Sequence, residues 1–237
     1  RPALVPITTD ATWAHELAGI TCPDVCVRVV PRATIESILH DPAALAAVGR
    51  KRRRDERRGS MLFTHFGLSG PAVLDVSREV TAQTSPRDVV LTCDFLPDAT
   101  FERVDEDLRK ACAGRGARSV AGVVPPSLPQ RLAEAIVHHC GLDRASRAAE
   151  LDKPSRRRLA GALKCLVFHP TGTRGFAKAE VTAGGVSLAE VDPRTMESKI
   201  VPGLYIVGEI LDLDGRIGGY NFQSAFSTAW LAAESTG

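Results

Sequence analysis

Between Asp98 and Lys164 the apolar residues of this chain recur every three or four positions, and on either side they do not. Phe101, Val104, Leu108 and Cys112 keep helical spacing. So do Leu132, Ile136, Val137 and Cys140, and then Leu159, Ala162, Leu163 and Leu166. Three such helices make a small helical block. The flanking stretches read as short strands and turns: Ala3–Ile7, an alternating half-buried Val25–Val30, Ser60–Phe63, Val89–Phe95, Leu166–His169 and Phe176–Val181. The helical block is therefore an insertion between two β-rich stretches. No internal repeat or low-complexity linker interrupts this order.

Local signals refine the reading. Asp41-Pro42 and Gly49 bracket a short helix over Ala43–Val48. Ser69 and Ser155 are candidate helix N-caps. Gly114-Arg115-Gly116 stops the first helix of the block, and Gly184-Gly185 is a tight turn.

With 44% hydrophobic and 24% charged residues the chain can bury a sizeable core. A net charge of +2 gives no global electrostatic reason to expect nucleic acid or membrane. No apolar run approaches the roughly 20 residues of a membrane span, and no leader is visible at Arg1. The six cysteines lack metal or CxxC spacing, so they read as reduced thiols of a cytoplasmic protein. Arg50–Arg58 is strongly basic; it reads as a solvated loop or as a phosphate-binding patch.

The segment from Gly203 to Gln223 carries the chemistry. A short apolar strand, Leu204–Val207, delivers Gly208-Glu209, then Asp212, then Gly218-Gly219 before a helix from Phe222 to Ala233. Glycines admit a ligand close to the backbone, and carboxylates accept hydrogen bonds from hydroxyls. The helix start offers free N–H groups to an electron-rich ligand edge. On these grounds alone, a ligand site and a plain strand–turn–helix remain equally open.

Three blocks resemble the BaiN/YhiN-like family of NAD(P)/FAD-dependent oxidoreductases, also described as aminoacetone-oxidase-like flavoproteins. They are Leu62–Leu74 (LFTHFGLSGPAVL), Ala179–Val186 with Thr195–Lys199, and Gly203–Asn221. The opening Arg1–Pro6 is similar to the family's entry into its second domain. The resemblance implies an α+β / α/β architecture: a β-barrel-like substrate domain over 1–97 and 165–194, a helical insert over 98–164, and the C-terminal part of a split Rossmann-like FAD domain over 195–237. It implies FAD as cofactor, with NAD(P)H as a candidate electron donor. Gly208, Glu209 and Asp212 would face the ribityl and pyrophosphate side. Gly218, Gly219, Tyr220, Asn221 and Phe222 would meet the ring, and Thr182, Gly184 and Gly185 would pack where the β domain meets the flavin. His65, in the second half of the LFTH motif, is the candidate acid or base; the alternative is a histidine that fixes its turn.

The family's opening Gly-x-Gly-x-x-Gly is not found in these 237 residues. The expectation is that a segment in cis or on another chain supplies it, and that this polypeptide alone binds FAD weakly. The rival reading is a non-catalytic flavoprotein-like module contacting nucleic acid through Arg50–Arg58, a partner class that composition does not favour. Gly67–Gly70 lacks a triad context for a serine hydrolase, and His138-His139 are adjacent on a helix and cannot pair on one metal.

Overall fold

A computed structural model describes residues 1–36, 56–113 and 118–236. Nine strands run in chain order: β1 Pro2–Ala3, β2 Ile7–Thr9, β3 Thr21–Pro31, β4 Glu56–Thr64, β5 Gly67–Ser69, β6 Val89–Asp94, β7 Leu166–Phe168, β8 Pro170–Thr173 and β9 Val181–Thr182. Six α-helices accompany them: α1 Thr12–His15, α2 Pro71–Thr81, α3 Phe101–Ala113, α4 Gln130–His139, α5 Lys153–Lys164 and α6 Tyr220–Thr236. The fold is mixed α and β.

Seven strands form one antiparallel sheet in the order β7-β6-β3-β4-β5-β2-β8. Its two edges, β7 and β8, are consecutive in the chain with His169 alone between them. The ladder is not closed, but the chain itself links one edge to the other. β3 bulges between Cys22 and Val25, where Pro23 has no N–H to give to the ladder. Val25, Val27, Met61, Phe63, Leu68, Leu91 and Phe168 are buried in the core. The same core continues through α2 and into Val104, Leu108, Leu132, Ile136, Leu159 and Leu163 of the helical block. The block thus shares its interior with the sheet.

A buried ion pair fixes that junction. Lys164 Nζ donates to Asp94 Oδ2 and to the Leu96 carbonyl, both at 2.7 Å, and to the Ala99 carbonyl. Arg156 of α5 bonds Asp105 of α3 at 2.7 Å.

Several local expectations change. Val25–Val30 is buried on both faces, apart from the half-buried Arg28, because β4 and β6 flank it and helices cover the sheet. The cap of α2 is Gly70, not Ser69, which pairs with Leu62 inside β5. Gly70 has φ +91, and a Cβ there would lie 2.9 Å from the Leu62 nitrogen, so glycine is required. Asp152, not Ser155, caps α5 by accepting from the Ser155 N–H at 2.8 Å. Phe176–Val181 is not a strand. Gly175 turns at φ +61 with Lys178 N–H bonded back to it, leaving two residues to pair with β1. Leu204–Val207 joins no ladder among the described residues; the Leu204 carbonyl and the Ile206 N–H bond Ser198 and Met196 instead, in an isolated bridge. The last helix starts at Tyr220. Ala43–Val48, Arg50–Asp55 and Gly114–Gly116 lie outside the described residues. Among those described, no helix is long and apolar enough to cross a membrane. All six cysteines are free, and five are buried.

Candidate functional site

β1 and β9 form a separate two-residue ribbon, pairing Pro2 with Thr182 and Ala3 with Val181. α2 anchors it: the Ser77 hydroxyl accepts from the Val5 N–H at 3.1 Å, and Thr81 donates to the Pro2 carbonyl at 2.9 Å. Between them Leu4 adopts φ +48, a left-handed conformation that bulky residues rarely take. Such strain persists only where the surroundings enforce it.

Against this ribbon sits the glycine- and acid-rich segment. Glu209 Oε1 accepts from the Thr182 N–H at 2.7 Å, joining the two. Val186 bonds Ile210 at 2.8 Å and Asp212 bonds Val186 at 2.9 Å, so the 184–186 turn lies directly on the 210–212 backbone. Gly185 is needed for this contact, since a Cβ there would stand 2.2 Å from the Ile210 oxygen. Further on, α2 grips the loop before α6. Arg78 pairs with Asp214 at 2.8 Å, and Asp75 Oδ1 accepts from the Ile217 N–H at 2.7 Å. Burial raises the Asp75 carboxyl above its usual range, while the Ile217 N–H and Arg57 oppose the shift. Asn221 closes the loop from the other side, bonding Gly215 N–H at 2.7 Å and Gly215 carbonyl at 3.1 Å.

The result is a cleft of about 440 Å³ with apolar walls from Leu4, Val181, Ile217 and Phe222. A second hollow of about 350 Å³ adjoins it through Leu4, Leu213 and Arg216, and contains Arg57, Arg78 and Asp212. The glycine pair forms the floor toward α6: Gly218 has φ +114 and Gly219 φ +88, and an added Cβ at Gly219 would meet nothing. The first-turn N–H groups of α6 have no intrahelical partners by helix geometry.

Of the sequence-derived candidates, Gly208, Glu209, Gly218, Gly219, Asn221 and Phe222 line this cleft together. Asp212 lines the adjoining hollow. Thr182 reaches it only through Glu209. Gly184 and Gly185 serve the backbone contact just described. Tyr220 is held by Arg216, whose guanidinium lies 4.5 Å over its ring and donates to its hydroxyl. His65 is elsewhere, exposed on the β4–β5 hairpin turn with its ring edge-on to Phe66, and lines neither hollow. Leu4, Asp75, Arg78 and Arg216 escaped the sequence reading. Arg216 lay inside the quoted motif as a spacer, and Asp75 and Arg78 showed only an i, i+3 spacing on a helix. Among the described residues no three His, Cys, Asp or Glu side chains are placed to hold a metal.

The profile of the HI0933-like protein barrel and H2TH domain matches residues 1–181. The chain belongs to this HI0933-like family. The open barrel-like sheet and the inserted helices are the two parts that the description names, and the fold is of the flavoprotein oxidoreductase type. Among curated proteins the chain is 38% identical over 177 residues to the ribosomal RNA dihydrouridine synthase of Escherichia coli, covering 75% of this chain and 42% of that one. It is 37% identical to the protein of the same description from Haemophilus influenzae, over 74% of this chain and 41% of the relative. It is 32% identical over 231 residues to the 3-dehydro-bile acid delta(4,6)-reductase of Clostridium scindens, over 94% of this chain and 55% of the relative. The chain therefore spans about half the length of the curated relatives it matches.

Proposed function

We propose that this HI0933-like chain forms the substrate side and the ring-facing edge of an FAD-dependent reductase of the BaiN/YhiN type. The observation that carries the reading is the cleft itself: residues 4 and 180–181 of the barrel ribbon and residues 208–225 meet around one hollow. Gly218 and Gly219 leave a backbone surface without side chains, which suits the approach of a flat ring. The start of α6 favours the electron-rich edge of that ring. Glu209 and Asp212 suit the hydroxyl-bearing tail, and Arg57, Arg78 and Arg216 suit its phosphates. When bound, the flavin supplies hydride. Asp75, Asn221 and Thr182 act as positioning residues that hold the turns, and Leu4, Ile217 and Phe222 exclude water.

A second feature supports a split flavin domain. Phe222, Phe226 and Trp230 stand at four-residue spacing on α6 and are 75%, 73% and 68% exposed. An apolar stripe of this kind marks a surface that another element covers. The proposed cover is the nucleotide-binding part of the flavin domain, from the same gene product or another chain.

Dihydrouridine is uridine with its C5–C6 double bond saturated, and a delta(4,6)-reductase name also denotes saturation of a double bond. The common reaction is hydride and proton addition across a C=C bond conjugated to a carbonyl. We assign this class to the present chain, with NADH or NADPH as electron source and uridine in ribosomal RNA as the leading substrate. The higher identity to the synthases favours that substrate; the 94% coverage by the bile acid reductase supports a steroid-like enone as the second reading. Free, buried thiols fit a cytoplasmic enzyme. The test is anaerobic reduction of the full gene product by NADH or NADPH, followed by addition of unmodified ribosomal RNA or an enone. Bleaching near about 450 nm, where oxidised flavin absorbs, and its return with RNA support the assignment. Reduction with no reoxidation by either substrate contradicts it.

A further inference from the structure

A third cleft, about 760 Å³, shares no lining residue with the two hollows described above. It lies where α1, α4 and α5 face the β7 edge of the sheet. Its walls are aromatic. Trp13 sits 4.8 Å from the His139 ring and 5.8 Å from Phe168, and Phe101 lies 4.7 Å beneath the Arg157 guanidinium. Its rim is cationic. Arg156, Arg157 and Arg158 are consecutive, and the carboxylate of Asp105 pairs with the first two, at 2.7 and 3.6 Å. Arg158 is exposed, bonds the Ser155 hydroxyl at 3.3 Å and forms no ion pair among the described residues. His169, where the chain crosses between sheet edges, lines the cleft, and its buried Nδ1 has no partner among the described residues.

Two features of α5 run against helix stability. Lys153 and Arg156 stand in its first turn, where the helix dipole disfavours cations by a few tenths of a kcal/mol or more each. Gly161 stands mid-helix at about 1 kcal/mol below alanine, although a Cβ there would meet nothing. The bond to Asp105 accounts for Arg156, but no contact among the described residues accounts for Gly161 or for the charge of Arg158. Both suit a surface that takes an anion over a flat, open floor. Gly161, Ala162 and Cys165 form that floor, on the same helix face as Arg157 and Arg158.

We infer that this cleft binds an unpaired stretch of RNA, with a base against Trp13, His139 and Phe101 and its phosphates on Arg157 and Arg158. Aromatic faces beside a basic groove are the chemistry of single-strand recognition. The two guanidinium groups that line the cleft, Arg157 and Arg158, suit adjacent phosphates of one strand. The inference rests on the ribonucleic acid reading above but concerns a separate surface. It also moves nucleic-acid contact away from Arg58, which the Asp24–Asp98 pair engages.

The test uses the full gene product and a fluorescein-labelled single-stranded oligouridylate, read by anisotropy at low and moderate salt. Gly161→Leu fills the floor while improving helix propensity, and Arg158→Glu reverses a charge that forms no ion pair. Each is expected to weaken binding about tenfold or more, the scale of one lost stacked base or phosphate contact, with flavin absorbance unchanged and the thermal midpoint not lowered. Wild-type protein that does not bind the probe, variants that bind it equally, or equal displacement by free uridine monophosphate would each overturn the inference. Flavin content is recorded on the same samples. Loss of RNA binding in the variants of a flavin-free protein would uphold this cleft while removing the reductase reading.

Discussion

The carboxylate of Asp75 on α2 accepts a hydrogen bond from the backbone N–H of Ile217 at 2.7 Å, across 142 positions of chain. Through it the barrel side holds the loop that leads into Gly218, Gly219 and α6. Asp75→Ala removes a charged acceptor and leaves that N–H unpaired, a loss of about 1–3 kcal/mol. Asp75→Asn keeps an acceptor and loses less. Urea unfolding followed by circular dichroism ranks the two, and flavin titration of the same proteins should show weaker binding in the same order.

Lys164 and Asp94 predict a second outcome. Lys164→Met strands a buried carboxylate together with the Leu96 and Ala99 carbonyls, and should cost about 3–5 kcal/mol. Lys164→Met combined with Asp94→Leu should cost less than the two single changes added together. Equilibrium denaturation of the three variants measures the coupling. Additive losses would mean that the pair does not hold the helical block to β6.

Gly185 and Gly175 separate close approach from backbone strain. Gly175→Ala meets open space and suffers only the φ +61 conformation, about 1–2 kcal/mol. Gly185→Ala collides with the Ile210 backbone and should lose more than Gly175→Ala while loosening the Glu209–Thr182 contact. Hydrogen exchange at Thr182 and Val186 reads that loosening directly.

Arg58 sets a pH dependence. It bridges Asp24 and Asp98 at 2.6 Å each and lowers both carboxyls below 3.8, chiefly by its hydrogen bonds. A depressed folded-state value gives stability that is present above 3.8 and is lost as pH falls through the lowered values. In Arg58→Gln both titrations should move up toward 3.8, and the stability gap from wild type should narrow on acidification. Carboxyl carbon NMR shifts follow each group.

Much of this was legible in the chain because it depends on local pattern. The three helices of the block follow from 3.6-residue spacing, and β6 from a short β-branched and apolar run that opens Val-Val-Leu. Leu204–Val207 was misread because its apolar character resembles a strand, whereas ladder pairing is non-local. The cap at Gly70 was missed because its cause is a close approach to Leu62, which no spacing reveals. In the candidate site, the Gly218–Phe222 turn and Gly208–Glu209 were visible as motif. Leu4, Asp75, Arg78 and Arg216 were not, since only the docking of α2 and the β1–β9 ribbon brings them there. His65 drew attention as a titratable residue in a motif, but the hairpin turns it to solvent.

The central claim is that the Gly218-Gly219 floor at the start of α6 meets a flavin. The measurement that addresses it most directly is FAD titration of the full gene product and its Gly219→Asn variant, read by visible absorbance. Asparagine tolerates the left-handed φ of Gly219, so the fold should persist while a side chain enters the cleft. The account predicts bound flavin with absorbance near about 450 nm in the wild type and at least roughly tenfold weaker binding in the variant. A wild type that takes up no flavin, or a variant that binds it equally well, would contradict the claim.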